Sequence, residues 1–297
     1  MAKRYLGQNF LYDPSILERI IQVAQLNTED LVVEIGPGPG RLTRMLAEKV
    51  KRVIAIELDE ELFEKLKIEL AEYKNVELIH EDALKYSYEN LPEFKIVANI
   101  PYYITTPIIF RLLEIGRTRP MDSQRAKEII PPHPTLAKGG NRGYLEKGGK
   151  ENYQGKCNLN SMTLTVQKEV AERIIAKPGG KDYGVLSIMV QYYAKPSLKF
   201  IIPKGAFRPV PKVDSSVIHI EILEKPSVEV KNKELFFRIV KTTFSQRRKM
   251  LSNSLKGICS DPKGWLNRTG IDPKRRPETL SIEELARLAN RFEEQIV

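Results

Sequence analysis

The apolar positions of the first hundred residues fall into short, nearly unbroken runs separated by stretches with helical spacing. Residues 31–35, 53–56, 76–79 and 96–98 each read as a strand, with the continuous hydrophobic character of a sheet covered on both faces. Between them, Leu42, Met45, Leu46 and Val50 share one helical face, and Leu62, Leu66 and Leu70 recur every four residues. Strands alternating with helices in this way predict an α/β chain built on a doubly wound, mostly parallel sheet. Upstream, Asp13-Pro14 offers an N-cap followed by proline at the first helical position, and Leu17, Ile20, Ile21 and Ala24 form the apolar face behind it.

A helix is expected over 107–114, after which the pattern fails. Residues 118–158 are rich in Pro, Gly and charge and show little periodicity, which marks an insertion. Regular signals resume with a strand at 162–166 and a helix at 168–175. Residues 185–193, 198–202 and 217–222 read as further strands, including an antiparallel hairpin at the sheet edge. Between the last two, the Phe207 to Asp214 loop carries two prolines that exclude a helix. Lys225-Pro226-Ser227 reads as a linker, and the remainder predicts helices at 235–244, 247–255 and 282–292. The last is announced by a capping box, Ser281 with Glu284 three residues on. Two domains follow: a ligand-binding domain over 1–224, interrupted at about 118–158, and a small all-helical domain over 225–297.

Composition narrows the class. No apolar run approaches the roughly 20 residues that cross a bilayer, and residues 1–8 lack the apolar core of a secretion signal, so the expectation is a soluble, cytoplasmic, monomeric protein without a membrane partner. Cys157, Cys259, His80, His133 and His219 are scattered without metal-ligand spacing, which predicts no metal. The net charge of +10 points to a polyanionic partner. Residues 225–297 concentrate that charge, with 16 Lys and Arg against 9 Asp and Glu. Within them Arg247, Arg248 and Lys249 are candidate RNA contacts, although a run of this kind also suits a solvated helix face.

In a doubly wound sheet, ligands sit beyond the carboxyl ends of the strands, and Gly36, Glu57, Asp82 and Asn99 all stand at such ends. The first belongs to Glu34-Ile35-Gly36-Pro37-Gly38-Pro39-Gly40, which invites comparison with a dinucleotide-binding loop. Arg41 stands where the third glycine of that fingerprint belongs, and the two prolines lack the N–H groups a pyrophosphate needs. A nucleoside without phosphates fits better, with Glu57 accepting from ribose hydroxyls and Asp82 from the adenine amine. S-adenosylmethionine is such a ligand. At the fourth strand end, Asn99-Ile100-Pro101-Tyr102 suits the methylation of an aromatic amine, whose lone pair is delocalised into its ring. If the Asn99 carboxamide oxygen and the Ile100 carbonyl accept the two N–H bonds, the nitrogen pyramidalises toward the methyl donor. Pro101 stiffens the turn, Tyr102 stacks on one face of the base, and Phe207 closes the other.

These stretches, together with Gly7 to Leu11, Thr106-Pro107, Gln167 to Ala171, Phe207 to Ser215 and Phe244 to Lys249, resemble the KsgA-type small-subunit rRNA adenine dimethyltransferases. The resemblance covers nearly everything outside the insertion. It implies the Rossmann-like fold of the class I S-adenosylmethionine methyltransferases, with cofactor contacts at Asn9, Leu11, Gly36, Gly38, Glu57, Asp82 and Asn99. It also implies a product of two adjacent N6,N6-dimethyladenosines in a hairpin near the 3′ end of small-subunit rRNA, made on a precursor subunit, with the helical C-terminal domain contacting RNA. Two alternatives stay open on the sequence: the related Erm type, which methylates large-subunit rRNA, and a ribosome-assembly factor whose enzyme fold is idle. The insertion departs from the family. It adds 9 basic and 4 acidic residues over 117–158, and contact with RNA or a ribosomal protein, a bland insertion and an error in the gene reading all fit it.

Overall fold

A computed structural model describes residues 8–115 and 159–292. The short strand β1 (Phe10–Leu11) precedes the helix α1 (Pro14–Ala24). Asp13 caps that helix as its sequence requires, its carboxylate accepting the Ser15 N–H at 2.9 Å. The strands β2 (Leu31–Ile35), β3 (Arg52–Glu57), β4 (Val76–His80), β5 (Phe94–Asn99) and β6 (Leu159–Gln167) follow, with α2 (Arg41–Ala47), α3 (Glu60–Glu69) and α4 (Thr105–Ile115) between them. Beyond β6 come α5 (Lys168–Ile175), α6 (Val185–Tyr193), β7 (Ala194–Ile202), β8 (Phe207–Arg208) and β9 (Ser215–Ile222).

Seven of these strands form one sheet in the order β4-β3-β2-β5-β6-β9-β7, and β1 pairs separately with β8. The first five are mutually parallel, and β9 runs antiparallel to both neighbours. From β2 the chain winds outward through β3 and β4, then returns to place β5 on the other side of β2. The strand order therefore reverses between β2 and β5, the position where α/β sheets open a crevice.

The unbroken apolar runs are explained by two-sided burial. On one face Val32, Val53 and Val97 pack under Leu17, Ile20 and Ile21 of α1 and Leu42 and Leu46 of α2. On the other, Val33, Ile54 and Ile96 join Ile108, Ile109 and Leu112 of α4. Truncating a side chain such as Ile96 to alanine costs about 2–5 kcal/mol.

Two expected elements take a different form. Residues 185–193, read as a strand, are the helix α6. It is enclosed on nearly all sides, so Ile188, Met189, Val190, Tyr192 and Tyr193 are all buried, and the polar stripe that would reveal helical period is missing. The β7 strand begins at Ala194, directly after its last residue. Residues 247–249, read as the start of a helix, form a turn between α7 (Lys233–Ser245) and the short α8 (Leu251–Ser254). The helix α9 (Pro262–Arg268) was not anticipated, although Asp261-Pro262 announces it as Asp13-Pro14 announces α1. The expected capping box opens α10 (Ile282–Phe292), with Ser281 N–H to Glu284 Oε2 at 2.9 Å and Glu284 N–H to Ser281 Oγ at 3.2 Å.

All described elements after residue 222 are helical. They share one apolar cluster with the sheet, from Ile96 through Ile188 and Phe236 to Trp265 and Leu285, and the Tyr192 ring stacks on Phe236 at 5.2 Å. Among the described residues no helix is long and apolar enough to cross a membrane, and no cluster of His, Cys, Asp and Glu could hold a metal. The expected insertion lies outside the described residues. Its downstream flank, Leu159, pairs with Phe94 at the start of β5, the end of that strand away from Asn99.

Candidate active site

Where the order reverses, a cleft is lined by the ends of β2, β3 and β5, the turns at 81–83 and 100–104, and residues 8–10. Its lining contains three carboxylates, Glu57, Glu81 and Asp82, and no lysine or arginine. A phosphate would meet only like charge there. A cationic ligand with hydroxyl and amine donors would meet acceptors, so the residues fit an S-adenosylmethionine-like nucleoside and not a dinucleotide.

The glycine turn after β2 is filled by protein. Gly36 and Gly38 have φ of +68° and +57°, and a Cβ on Gly38 would stand 2.7 Å from the Phe10 ring. One on Gly36 would stand 3.4 Å from the ring of Pro101. Gly38 thus lines the cleft while its backbone packs against an aromatic ring from β1. Leu11, the next residue, is 4% exposed, pairs with Phe207 and lies in the core beside α1, away from the cleft lining.

Glu57, only 5% exposed, accepts the Gly38 N–H on Oε2 at 3.2 Å and the Asp59 N–H on Oε1 at 2.9 Å. Burial holds its carboxyl above the usual range, and the backbone donors oppose this. Each oxygen keeps a second lone pair for a ligand hydroxyl. Asp59 caps α3 through the Glu61 N–H at 3.0 Å and accepts from Gln8 Nε2 at 3.1 Å. Asp82 accepts the Leu84 N–H on Oδ1 at 2.9 Å, leaving Oδ2 outside that turn.

Asn99 ends β5, and its Nδ2 donates to the Asn9 carbonyl at 2.9 Å. A carbonyl only accepts, so this bond decides which end of the amide is engaged and leaves Oδ1 as the end available to a ligand. Beside it, the turn closes on the Pro101 carbonyl, which takes the Ile104 N–H at 3.1 Å and the Thr105 hydroxyl at 3.4 Å. Ile100 donates its N–H to Thr165 at 3.2 Å, and its carbonyl stands outside those turn bonds. Tyr102 lines the cleft with its hydroxyl 2.6 Å from Ser215 Oγ. Tyr103, Phe10 and Gln8 also line it. Tyr103 was missed by the sequence reading, although its place directly after the Asn99 turn was a usable signal.

Four further candidates lie elsewhere. Phe207, expected to stack on a base, is fully buried beneath β1 and does not line the cleft. Arg247 donates to the Lys181 and Tyr183 carbonyls at 2.6 and 3.0 Å, tying the 181–183 loop to the end of α7. Arg248 and Lys249 are exposed. Behind the glycine turn Glu34 is 2% exposed, and its Oε2 has no hydrogen-bond partner among the described residues. Burial first, and the Glu57 charge in addition, push its carboxyl up to about 8.

The family model described as ribosomal RNA adenine dimethylase matches residues 1–294. The chain belongs to the ribosomal RNA adenine dimethylase family. Within it, the chain is 45% identical over 292 residues to a ribosomal RNA small subunit methyltransferase A of Clostridium botulinum, covering 96% of this chain and 92% of that one. It is 41% identical over 301 residues to the protein of the same name from Caldanaerobacter subterraneus, covering 97% and 96%. Among solved structures, a dimethyladenosine transferase from Plasmodium falciparum superposes with a TM-score of 0.70 at 25% identity, covering 96% of this chain and 98% of that one. The 23S rRNA methyltransferase ErmE superposes with a TM-score of 0.65 at 25% identity, covering 96% and 100%. The sheet of this dimethylase family member is thus the Rossmann-like sheet expected from its sequence.

Proposed function

We propose that this rRNA adenine dimethyltransferase uses S-adenosylmethionine to convert two adjacent adenosines, in a 3′-terminal hairpin of small-subunit rRNA, into N6,N6-dimethyladenosines. The reading extends to a monomer acting in the cytoplasm on a precursor subunit. The observation that supports it is the Asn99–Asn9 bond, which commits Nδ2 to the protein and leaves Oδ1 as the end of the amide that can accept, one residue before the Ile100 carbonyl. The bound cofactor supplies an electrophilic methyl group.

The chain's residues do the rest. Glu57 and Asp82 accept the ribose and adenine donors, and Gly36, Gly38 and Asn9 shape the wall between them. Asn99 Oδ1 and the Ile100 carbonyl accept the N6 hydrogens of the substrate base and release its lone pair from the ring. Pro101 fixes the turn that presents them, and Tyr102 stacks on the base. No strong base is required, since the methylated ammonium loses its proton readily. Phe207 and Leu11 act from beneath, holding β1 over Asn99. The helical region from residue 225 contacts RNA through Arg248, Lys249 and neighbouring cations.

The identities favour the small subunit, 45% to a relative named for it against 25% to the large-subunit enzyme. The test is mass spectrometry of rRNA adenosines from cells lacking the protein, complemented with wild type or with Asn99→Ala. Wild type restores dimethyladenosine in small-subunit rRNA, whereas Asn99→Ala lowers transfer by roughly 10²–10³-fold while particle binding survives. Methylation confined to large-subunit rRNA, or full activity of Asn99→Ala, overturns the reading.

A further inference from the structure

The two lips of the cleft differ in charge. Glu60 and Glu61 are exposed at the start of α3, next to the lining carboxylates Glu81 and Asp82. On the side of β1 and β8, Arg41, Lys204, Arg208 and Lys212 are exposed, and none of their side chains forms an ion pair among the described residues, although Asp214 accepts the Lys204 backbone N–H at 2.9 Å and Asp13 is exposed beside Tyr12. A polyanion is drawn to this second lip.

That lip carries a feature no role assigned so far uses. The Arg41 guanidinium lies over the Tyr12 ring, 4.6 Å from its centroid, and Tyr12 is 37% exposed. Tyr12 follows β1 directly, whose Phe10 pairs with Arg208 and packs on Gly38. It is three residues from Asn9, which is hydrogen-bonded to Asn99, and three residues of extended chain span at most about 10 Å. Two flat surfaces, one aromatic and one guanidinium, therefore stand on the basic lip, joined by three residues of chain to the Asn9 carbonyl that holds Asn99. Nucleobases stack on both kinds of surface.

We infer that Tyr12 and Arg41 form a stacking platform for the nucleotide that flanks the target adenosine, and so position the single-stranded RNA at the cleft. The geometry explains why the pair sits outside the cleft lining. A base turned into the site must leave its neighbour, and the neighbour's exposed face needs a new partner at the rim. The inference rests on the RNA-methylating reading above.

The experiment is a double-mutant cycle between protein and RNA. Wild type, Tyr12→Ala and Tyr12→Phe are assayed on small-subunit particles carrying either intact rRNA or rRNA with an abasic nucleotide on the 5′ or 3′ side of the target. The platform predicts a roughly tenfold rise in KM for RNA with Tyr12→Ala, with unchanged cofactor affinity and melting temperature, and near wild-type behaviour for Tyr12→Phe. On one of the two abasic substrates Tyr12→Ala then costs nothing further. If Tyr12→Ala leaves KM within twofold, or its effect multiplies with both abasic substitutions, the platform is overturned. If wild type methylates none of the particles, the functional reading itself fails, which is a separate result.

Discussion

The Tyr102 hydroxyl and the Ser215 hydroxyl stand 2.6 Å apart, although 113 residues separate them in the chain. The bond joins the Asn99 turn to the first residue of β9 and fixes the plane of a ring that lines the cleft. Burial raises the phenol's pKa, and the Ser215 bond partly offsets this, so the ring stays neutral through the physiological range. Replacing Ser215 by alanine is expected to loosen the ring and lower kcat/KM roughly tenfold, with cofactor affinity unchanged. Steady-state kinetics with independent cofactor titration checks this, and Tyr102→Phe should reproduce the Ser215→Ala value.

Asn99→Asp tests the direction of the amide. Aspartate keeps an acceptor toward the cleft but cannot donate to the Asn9 carbonyl, so two oxygens face each other across 2.9 Å. Loss of transfer comparable to Asn99→Ala is expected, together with faster proteolytic cleavage near residue 9. Wild-type protection of that segment would contradict the account.

Gly38→Ala places a Cβ at φ +57° and 2.7 Å from the Phe10 ring. The strain and clash together are expected to cost about 2 kcal/mol or more of unfolding free energy. Adding Phe10→Ala removes the clash but not the backbone strain, so denaturant titration of the double variant should show a penalty smaller than the sum of the two single changes.

Glu34 gives a pH signature. Its folded-state pKa of about 8 lies above the ordinary 4.5, so the folded chain holds the proton more tightly. Its contribution to stability is complete below about pH 4.5 and declines as pH rises through the window up to about 8, by on the order of 5 kcal/mol at most. Chemical denaturation across this range should show that decline in wild type and a flatter profile in Glu34→Gln.

Arg247 and its neighbours divide by role. Arg247→Ala is expected to lower the melting temperature by a few degrees, because two backbone carbonyls lose a charged donor. Arg248→Ala and Lys249→Ala should leave stability unchanged and each reduce the salt dependence of RNA binding by about one unit of slope. Equal thermal effects from all three would refute the division.

What could be read from the sequence was what is decided locally. The caps at Asp13 and Ser281 act within three residues, and the continuous apolar runs report two-sided burial at each strand. The α6 helix was misread because enclosure removes the polar face on which periodicity depends. Asn99 was identifiable from its place at a strand end, but its partner Asn9 is 90 residues away. Phe207 had the right chemistry for stacking on a base, and only the pairing of β1 with β8 shows that its ring is enclosed. The same pairing fixes the chain just before Tyr12, whose contact with Arg41 no local pattern announces.

The charged residues that line the cleft, all of them acidic, bear on turnover as well as on capture. A sulfonium methyl donor would bring a positive charge to this lining and leave as a neutral thioether, whereas Glu57, Glu81 and Asp82 belong to the wall throughout. The same walls would then hold the spent molecule less firmly than the fresh one. For an enzyme that modifies each adenosine twice, that difference would favour exchange of the spent donor between rounds.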